Sequence, residues 1–143
     1  MNSKCPLYIN GQFIETAEKQ NIINPSTGKV IAEASLASDK EVDLALASAR
    51  EAFDRGPWPQ FSLIERKNFI FRIAQGILDN AGMLAELEMQ NTGKPIKETT
   101  FMDIPSCAKT FEFMAEHFMN YLNNEEVDLS ADARGKILRE PMG

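Results

Sequence analysis

Two capping boxes constrain the fold of this chain more than any other sequence feature. In each, a serine precedes a glutamate by three positions: Ser38 with Glu41, and Ser62 with Glu65. The two side chains satisfy backbone N–H groups that a first helical turn leaves free, so each pair predicts the start of a helix. Apolar residues follow each box at spacings of three and four, which is typical of a helix that buries one face.

Glycine and proline divide the helical region, which we place at about 39–123. Gly56 is expected to end the first helix and Gly93 the third. The fourth helix is predicted to begin near Asp103, because Pro105 fits a first turn, where a missing N–H costs nothing. Its apolar stripe is the longest in the sequence: Ile104, Cys107, Ala108, Phe111, Met114, Ala115, Phe118 and Leu122.

The first part of the chain, about 7–34, is predicted to form strands. Asn10-Gly11 lies between two short apolar runs, and Asn-Gly in that setting is a strong hairpin signal. A second pair of strands is expected at 21–23 and 29–34, on either side of the Asn-Pro-Ser-Thr-Gly turn at 24–28. A last strand is expected to start at about 136–140. The elements predict an α/β chain whose helix faces are too wide for its few strands to cover.

Composition matters here for what it excludes. Fifteen basic against 21 acidic residues give a net charge of −6, which argues against a nucleic-acid partner. No segment approaches the roughly 20 apolar residues of a membrane-spanning helix, and the N-terminus lacks the apolar core of a signal peptide. We therefore expect a cytoplasmic protein with no membrane partner, whose two cysteines stay reduced.

Few residues suggest catalysis. The single histidine, His117, lies beside an apolar stripe and is expected to pack, since proton transfer by histidine needs an orienting partner. Cys107 is expected in the core and Cys5 in a mobile tail. No Cys/His spacing suits zinc, and neither Thr-Gly-Lys stretch completes a phosphate-binding loop. Asp103 leaves two interpretations open: a helix N-cap, or an oxygen ligand of a hard cation.

Five motifs, in this order and spacing, resemble a known family. They are Tyr8–Phe13, Asn24–Ile31, Asp39–Phe53, Glu86–Pro95 and Arg139–Gly143. Together they resemble the start of an NAD(P)-dependent aldehyde dehydrogenase, of the kind that acts on betaine aldehyde. The resemblance covers nearly the whole chain. It implies that residues 1–143 are a truncated N-terminal part of an α/β dinucleotide-binding domain.

The resemblance also implies where the chemistry lies. In the family a cysteine thiolate attacks the aldehyde, a hydride passes to NAD or NADP, and water releases a carboxylic acid. The nucleophile, the general base and the dinucleotide-binding segments follow the part that this chain matches. No catalytic or cofactor-binding residue therefore carries over, and this chain alone is expected to be inactive and not to bind NAD.

One site carries over by resemblance. Many relatives bind a monovalent cation through backbone carbonyls before the Asn-Pro-x-Thr-Gly turn and an aspartate at the head of the last helix. The matching residues are Ile22, Ile23 and Asp103, with K⁺ or Na⁺ as the ion and a further ligand beyond this segment. The chain departs from the family at 113–116, where Phe-Met-Ala-Glu replaces Tyr-Tyr-Ala-Gly near the substrate entrance.

Three interpretations follow for the chain as a whole. It is an enzyme part from a split, truncated or decayed gene; or a non-catalytic interaction module that pairs with a complementary or intact aldehyde dehydrogenase chain; or a small helical domain without surviving function. An orphan part should fold poorly, because its apolar faces lack a partner. An independent module should instead unfold cooperatively.

Overall fold

Short strands at the N-terminal end form a small sheet and a separate hairpin. The structure, a computed structural model, describes residues 3–122 and 125–142. The strands are β1 (Ser3–Cys5), β2 (Leu7–Ile9), β3 (Gln12–Ile14), β4 (Lys19–Ile23) and β5 (Val30–Ser35). The sheet has the order β1–β5–β4, with β1 parallel and β4 antiparallel to the central β5.

Both predicted strand pairs are confirmed. In the hairpin, β2 pairs antiparallel with β3, and Asn10 and Gly11 adopt positive φ angles of 49° and 77°. Asparagine and glycine tolerate that left-handed conformation better than other residues, so the local sequence is sufficient to make this turn. The expectation that Cys5 lies in a mobile tail is wrong. Cys5 lies in β1 opposite Ala34, and its backbone belongs to the sheet.

The helices occupy most of the remaining chain. They are α1 (Asp39–Arg55), α2 (Leu63–Asp79), α3 (Ala81–Thr92), α4 (Ile96–Glu98) and α5 (Ile104–Leu122), with a short 3₁₀ turn at Trp58–Gln60. The predicted capping boxes are confirmed, since α1 and α2 begin directly after Ser38 and Ser62. The expected ends at Gly56 and Gly93 are confirmed as the C-cap residues of α1 and α3.

The predicted start of the last helix near Asp103 is confirmed for α5, which begins at Ile104, but Asp103 does not cap a free helix end. The helical run begins at Ile96, directly after Pro95, and passes through a π-helical segment, Thr99–Asp103, into α5. Pro105 has no N–H to donate, so the regular hydrogen-bond pattern cannot continue through it, and the wider π-turn falls just before it. Asp103 is therefore inside the helical run and is not its N-cap. The predicted end of the helical region, at about residue 123, lies outside the described residues, and Glu125 and Glu126 belong to the strand that follows.

The core is made of small side chains. α2 packs along α5, and Ala74 of α2 is buried, as are Ala108 and Ala115 of α5. Alanines let two helix backbones approach closely but bury little apolar surface each. The expectation that Cys107 lies in the core is wrong: it is exposed, because the face that meets α2 is centred one position further along, at Ala108.

Many large apolar side chains remain on the surface of the helices. These include Leu44, Leu46, Ile64, Met83, Leu87, Phe101, Met102, Phe113 and Met114, each at least 48% exposed. Isolated exposed apolar residues are common, but a soluble monomer rarely exposes so many on neighbouring elements. The wide apolar faces inferred from the sequence are thus present, and the described elements leave them uncovered.

A hairpin follows the last helix. Strands β6 (Glu125–Ser130) and β7 (Ala133–Ile137) pair antiparallel. The strand expected at about 136–140 therefore begins earlier, at Ala133, and ends at Ile137. β6 was not predicted, because its charges obscured the alternation of Val127 and Leu129. Within the described segments, no helix is long and apolar enough to cross a membrane.

We expect the stability of the chain to fall in acid partly through Glu65. The Ser62 hydroxyl, and then the Ser62 backbone N–H, hold the pKa of the Glu65 carboxyl below its usual 4.5. A group with a lowered folded-state pKa stabilises the fold above its unfolded-state pKa, and that contribution is lost as pH falls through the folded-state value. Glu65→Gln should therefore flatten the pH dependence of the urea midpoint below about pH 5, followed by far-UV circular dichroism.

The control for this experiment is Glu33→Gln, at an exposed position of β5. It should leave the acid dependence of the urea midpoint as it is in the parent chain. Identical pH profiles for Glu65→Gln and the parent chain would show that the α2 capping box contributes nothing to acid stability.

Candidate cation site

The two carbonyls that the sequence nominates as cation ligands lie at an irregularity in the sheet. β4 and β5 pair with a register shift between Ile22 and Ile23. A β-bulge of this kind disrupts the ladder locally, so that a backbone group is left unpaired and redirected. Ile22 is half-buried and Ile23 is 54% exposed. The register places the extra residue, Ile31, on the β5 side of the pair, opposite the step from Ile22 to Ile23.

The turn after the bulge is held by its own side chain. Asn24 Oδ1 accepts hydrogen bonds from the backbone N–H groups of Ser26 at 2.9 Å and Thr27 at 3.2 Å. The N–H of Gly28, at φ 67°, donates to the Asn24 carbonyl at 2.8 Å. Asparagine is suited to this position because its amide oxygen copies a backbone turn acceptor. The Asn-Pro-Ser-Thr-Gly motif is thus a self-supported turn.

This turn contacts the second Thr-Gly-Lys stretch, at 92–94. The residues in contact, Ser26 and Gly93, are 67 positions apart in sequence. The Ser26 hydroxyl donates to the Gly93 carbonyl at 3.2 Å. Gly93 caps α3 with φ 77°, and a Cβ there would lie 2.9 Å from both Pro25 Cγ and Ser26 Oγ. Only glycine meets both requirements, the left-handed backbone and the close approach. The contact joins the sheet to the end of α3.

Asp103 pairs with the residue after that glycine. Lys94 Nζ lies 2.7 Å from Asp103 Oδ2, with the two side chains 40% and 29% exposed. The hydrogen bond to the Asp103 carboxylate raises the pKa of Lys94. Nine residues lead from Lys94 to Asp103: Pro95, the three of α4 and the five of the π-helical segment. This path brings the Asp103 carboxylate back beside the Lys94 side chain. No periodic pattern predicted this pair, because the π-turn changes the spacing of side chains within the path.

Ile22 and the Asp103 segment meet at one groove. The groove has a volume of about 450 Å³ and runs between the sheet and α3, lined mainly by apolar side chains. Ile22 lines it from β4, and Ile104, the residue after Asp103, lines it from α5. Of the three positions that the resemblance implies, only Ile22 lines this groove, while Asp103 is represented there by its neighbour Ile104.

The other candidates from the sequence lie elsewhere. The His117 ring stacks on Phe113 at 4.1 Å, and its Nδ1 is 2.9 Å from the Phe113 carbonyl oxygen. Cys5 lines the groove from β1, and Cys107 is exposed on α5. In the part of the chain that the structure describes, no three His, Cys, Asp or Glu side chains cluster as metal ligands.

Comparison with known proteins decides the family. The model of the aldehyde dehydrogenase family matches residues 13–143. This chain belongs to the aldehyde dehydrogenase family. Among curated members, it is 34% identical over 139 residues to aldehyde dehydrogenase 1 of Tanacetum cinerariifolium. It is 31% identical over 143 residues to the mitochondrial family 2 member B4 of Arabidopsis thaliana. These matches include 96% and 99% of this chain, but they cover 28% and 26% of the length of the two relatives.

Solved aldehyde dehydrogenases share the fold described above. An NAD-dependent enzyme from Sinorhizobium meliloti matches 99% of this chain with a TM-score of 0.87 and 31% identity, over 28% of its own length. The indole-3-acetaldehyde dehydrogenase of P. syringae, solved with NAD⁺, matches the whole chain with a TM-score of 0.88 and 30% identity, over 29% of its own length. The α/β arrangement of this chain is therefore that of an N-terminal-like part of the aldehyde dehydrogenase fold.

We expect Gly93→Ala to destabilise this aldehyde dehydrogenase chain by at least about 2 kcal/mol, since it combines left-handed strain with a steric clash. The clash is with Pro25 Cγ and Ser26 Oγ. The measurement is the free energy of unfolding in urea. Gly76→Ala is the matched control: it lies inside α2 with open space around a new Cβ, and should stabilise by about 0.5–1 kcal/mol. Equal effects of the two substitutions would refute the proposed role of the Gly93 contact.

Proposed function

We propose that this chain is the scaffold part of an oxidoreductase that oxidises aldehydes to carboxylic acids with NAD. The observation that carries the proposal is the family match over residues 13–143, supported by a shared fold with an NAD-dependent relative. The chain spans 28% or less of the curated relatives named above. The reacting groups are proposed to belong to the rest of such an enzyme.

The residues of this chain fit a supporting role better than a cofactor-binding one. A dinucleotide pyrophosphate is bound by free N–H groups at a helix N-terminus. At the start of α2, Glu65 already accepts from the Ser62 N–H at 2.7 Å, and Glu41 accepts from the Ser38 N–H at 2.9 Å at the start of α1. These carboxylates would also repel a phosphate. NAD, bound by other parts of a complete protein, would accept the hydride.

The nucleophile is likewise proposed to lie outside this chain. Cys5 is held in an edge strand of the sheet, and Cys107 lies on the exposed side of α5. A catalytic cysteine needs a base or a charged group beside it that stabilises the thiolate. What this chain contributes is a rigid sheet–helix unit, joined through Ser26 and Gly93, with apolar faces against which further elements can pack.

We also propose a site for K⁺ or Na⁺ at the bulge, with Ile22, Ile23 and Asp103 as ligands. Backbone carbonyls and a carboxylate are the oxygen donors that hard cations prefer. Two features support the proposal: the disturbed ladder at Ile22/Ile23, and the groove shared by Ile22 and Ile104. One feature opposes access of a metal ion to Asp103, because Asp103 Oδ2 already accepts a hydrogen bond from Lys94.

The exposed apolar side chains favour a second candidate function, a non-catalytic module that pairs with an intact aldehyde dehydrogenase. Phe101 is 76% exposed and Leu46 is 65% exposed. A partner chain would cover apolar side chains of this kind. Native mass spectrometry of this chain mixed with the intact Sinorhizobium enzyme distinguishes the two candidates. A stoichiometric complex would support the module, whereas separate species would support the enzyme part.

Activity is tested in a chimera. The segment of the Sinorhizobium enzyme that this chain matches is replaced by the chain itself, and aldehyde-dependent NADH formation is followed by absorbance. We expect turnover by the chimera and none by this chain alone. A folded chimera that binds NAD⁺ but does not oxidise aldehydes would contradict the scaffold proposal.

A matched variant of the chimera tests where the nucleophile lies. Replacing both cysteines of this chain, by Cys5→Ser and Cys107→Ser, should leave kcat unchanged, because neither is proposed to react with the aldehyde. Loss of activity on replacement of Cys107 alone would show that this chain supplies a reacting group.

A further inference from the structure

Asn10 is the one asparagine of this chain that a glycine follows. The backbone nitrogen of the next residue can attack the side-chain carbonyl carbon of an asparagine, and it does so most readily when that residue is glycine, which has no side chain in the way. Both residues are exposed, and a Cβ added to Gly11 would meet no atom within 4 Å. The turn of the β2–β3 hairpin therefore holds the pair in this chain that is most prone to the reaction, in a place that water reaches.

The reacting groups at this turn are not engaged elsewhere. Among the residues that the structure describes, none accepts a hydrogen bond from the Gly11 N–H, and none is hydrogen-bonded to the Asn10 side-chain amide. Other asparagines differ. The Asn24 side chain accepts two N–H bonds, and the nitrogen that follows it belongs to Pro25, which is fully substituted and cannot attack. The Asn80 side chain donates to a backbone carbonyl of α2 at 2.8 Å.

The conformation of the turn controls when the reaction can occur. Asn10 is held at φ 49°, and among the described residues it is the only one other than glycine with a positive φ. A five-membered ring between the Asn10 side chain and the Gly11 nitrogen fixes the Asn10 backbone in a different conformation, so the turn must open before the ring can close. Such opening is local, because β2 and β3 have three residues each and short hairpins are only marginally stable.

We propose that Asn10 is a modification site, at which the open hairpin loses a side-chain amide without any enzyme. The Gly11 nitrogen gives up its proton and bonds to the Asn10 side-chain carbonyl carbon, and ammonia leaves. Water then adds to either carbonyl carbon of the cyclic imide, and the bond from that carbon to nitrogen breaks. One product is aspartate, and the other is isoaspartate, in which the main chain passes through the former side chain. No oxidant or reductant takes part, and the chain gains one negative charge.

The isoaspartate form cannot close the hairpin. Its main chain is longer by one carbon atom, whereas a two-residue turn has to place Ile9 opposite Gln12. The strand pairing that holds the Tyr8 ring 5.0 Å from the Phe13 ring is then lost. The aspartate form keeps an Asp-Gly turn, which a hairpin also favours. Opening of the turn therefore becomes permanent in one product and stays reversible in the other.

The test incubates the folded full chain in mildly alkaline and in mildly acidic buffer. Ammonia release is measured, and the modified residue is located by tandem mass spectrometry of proteolytic peptides. We expect loss of one amide per chain, at Asn10, while Asn24 and Asn80 keep theirs. The loss should be faster in the alkaline buffer, because the attacking nitrogen has to give up its proton. Asn10→Asp is the matched control, since it keeps the turn and should release no ammonia over the same period.

Hydrogen exchange tests the structural consequence. The backbone amides of Ile9 and Gln12 should lose their protection in the isoaspartate form and keep it in Asn10→Asp. Equal protection in the two forms would overturn the claim that the hairpin stays open. Two results would overturn the site itself: earlier amide loss at another asparagine, or an intact Asn10 after a period in which an unstructured peptide of residues 7–14 has lost its amide. Neither result bears on the dehydrogenase proposal, which the chimera tests.

Discussion

The close approach of Ser26 to Gly93 is the contact on which the rest of the structure depends. It joins the strand region to the helical region across 67 residues, through a hydroxyl donor, a carbonyl acceptor and the space left by a missing Cβ. On one side, the Asn24 side chain holds the turn in shape. On the other, the left-handed glycine ends α3 and directs Lys94 towards Asp103. Two turn motifs that are weak signals separately are thus parts of one junction.

Local chemistry was enough to predict most of the elements. The Asn10-Gly11 hairpin and the two capping boxes need only residues close in sequence, and each was found where predicted. The failures concern elements determined by distant contacts. β1 is three residues long and exists because β5 pairs with it. For the candidate site, resemblance nominated Ile22, Ile23 and Asp103, and their role as ligands stays a prediction. The Lys94–Asp103 pair was not predicted, because it depends on a π-turn that periodicity does not reveal.

The distribution of apolar residues accounts for the error at Cys107 and bears on what the chain is for. Spacing identifies a helix stripe but not which edge of it meets a neighbour. Here α5 uses its alanines against α2 and leaves Phe113 and Met114 outside. A core of alanines stabilises a fold weakly, because buried apolar area provides the main driving force. The chain spans 28% of the length of the Tanacetum relative named above, and its outward apolar side chains fit the scaffold role proposed above.

The same junction that supports the fold also positions the ion pair between Lys94 and Asp103. A cation site built from backbone carbonyls needs a carboxylate to supply the negative charge. In this chain the turn that ends at Pro95 delivers a lysine to that carboxylate. Because the glycine and proline on either side hold the backbone, this ion pair links the end of α3 to the π-helical segment through one flexible side chain.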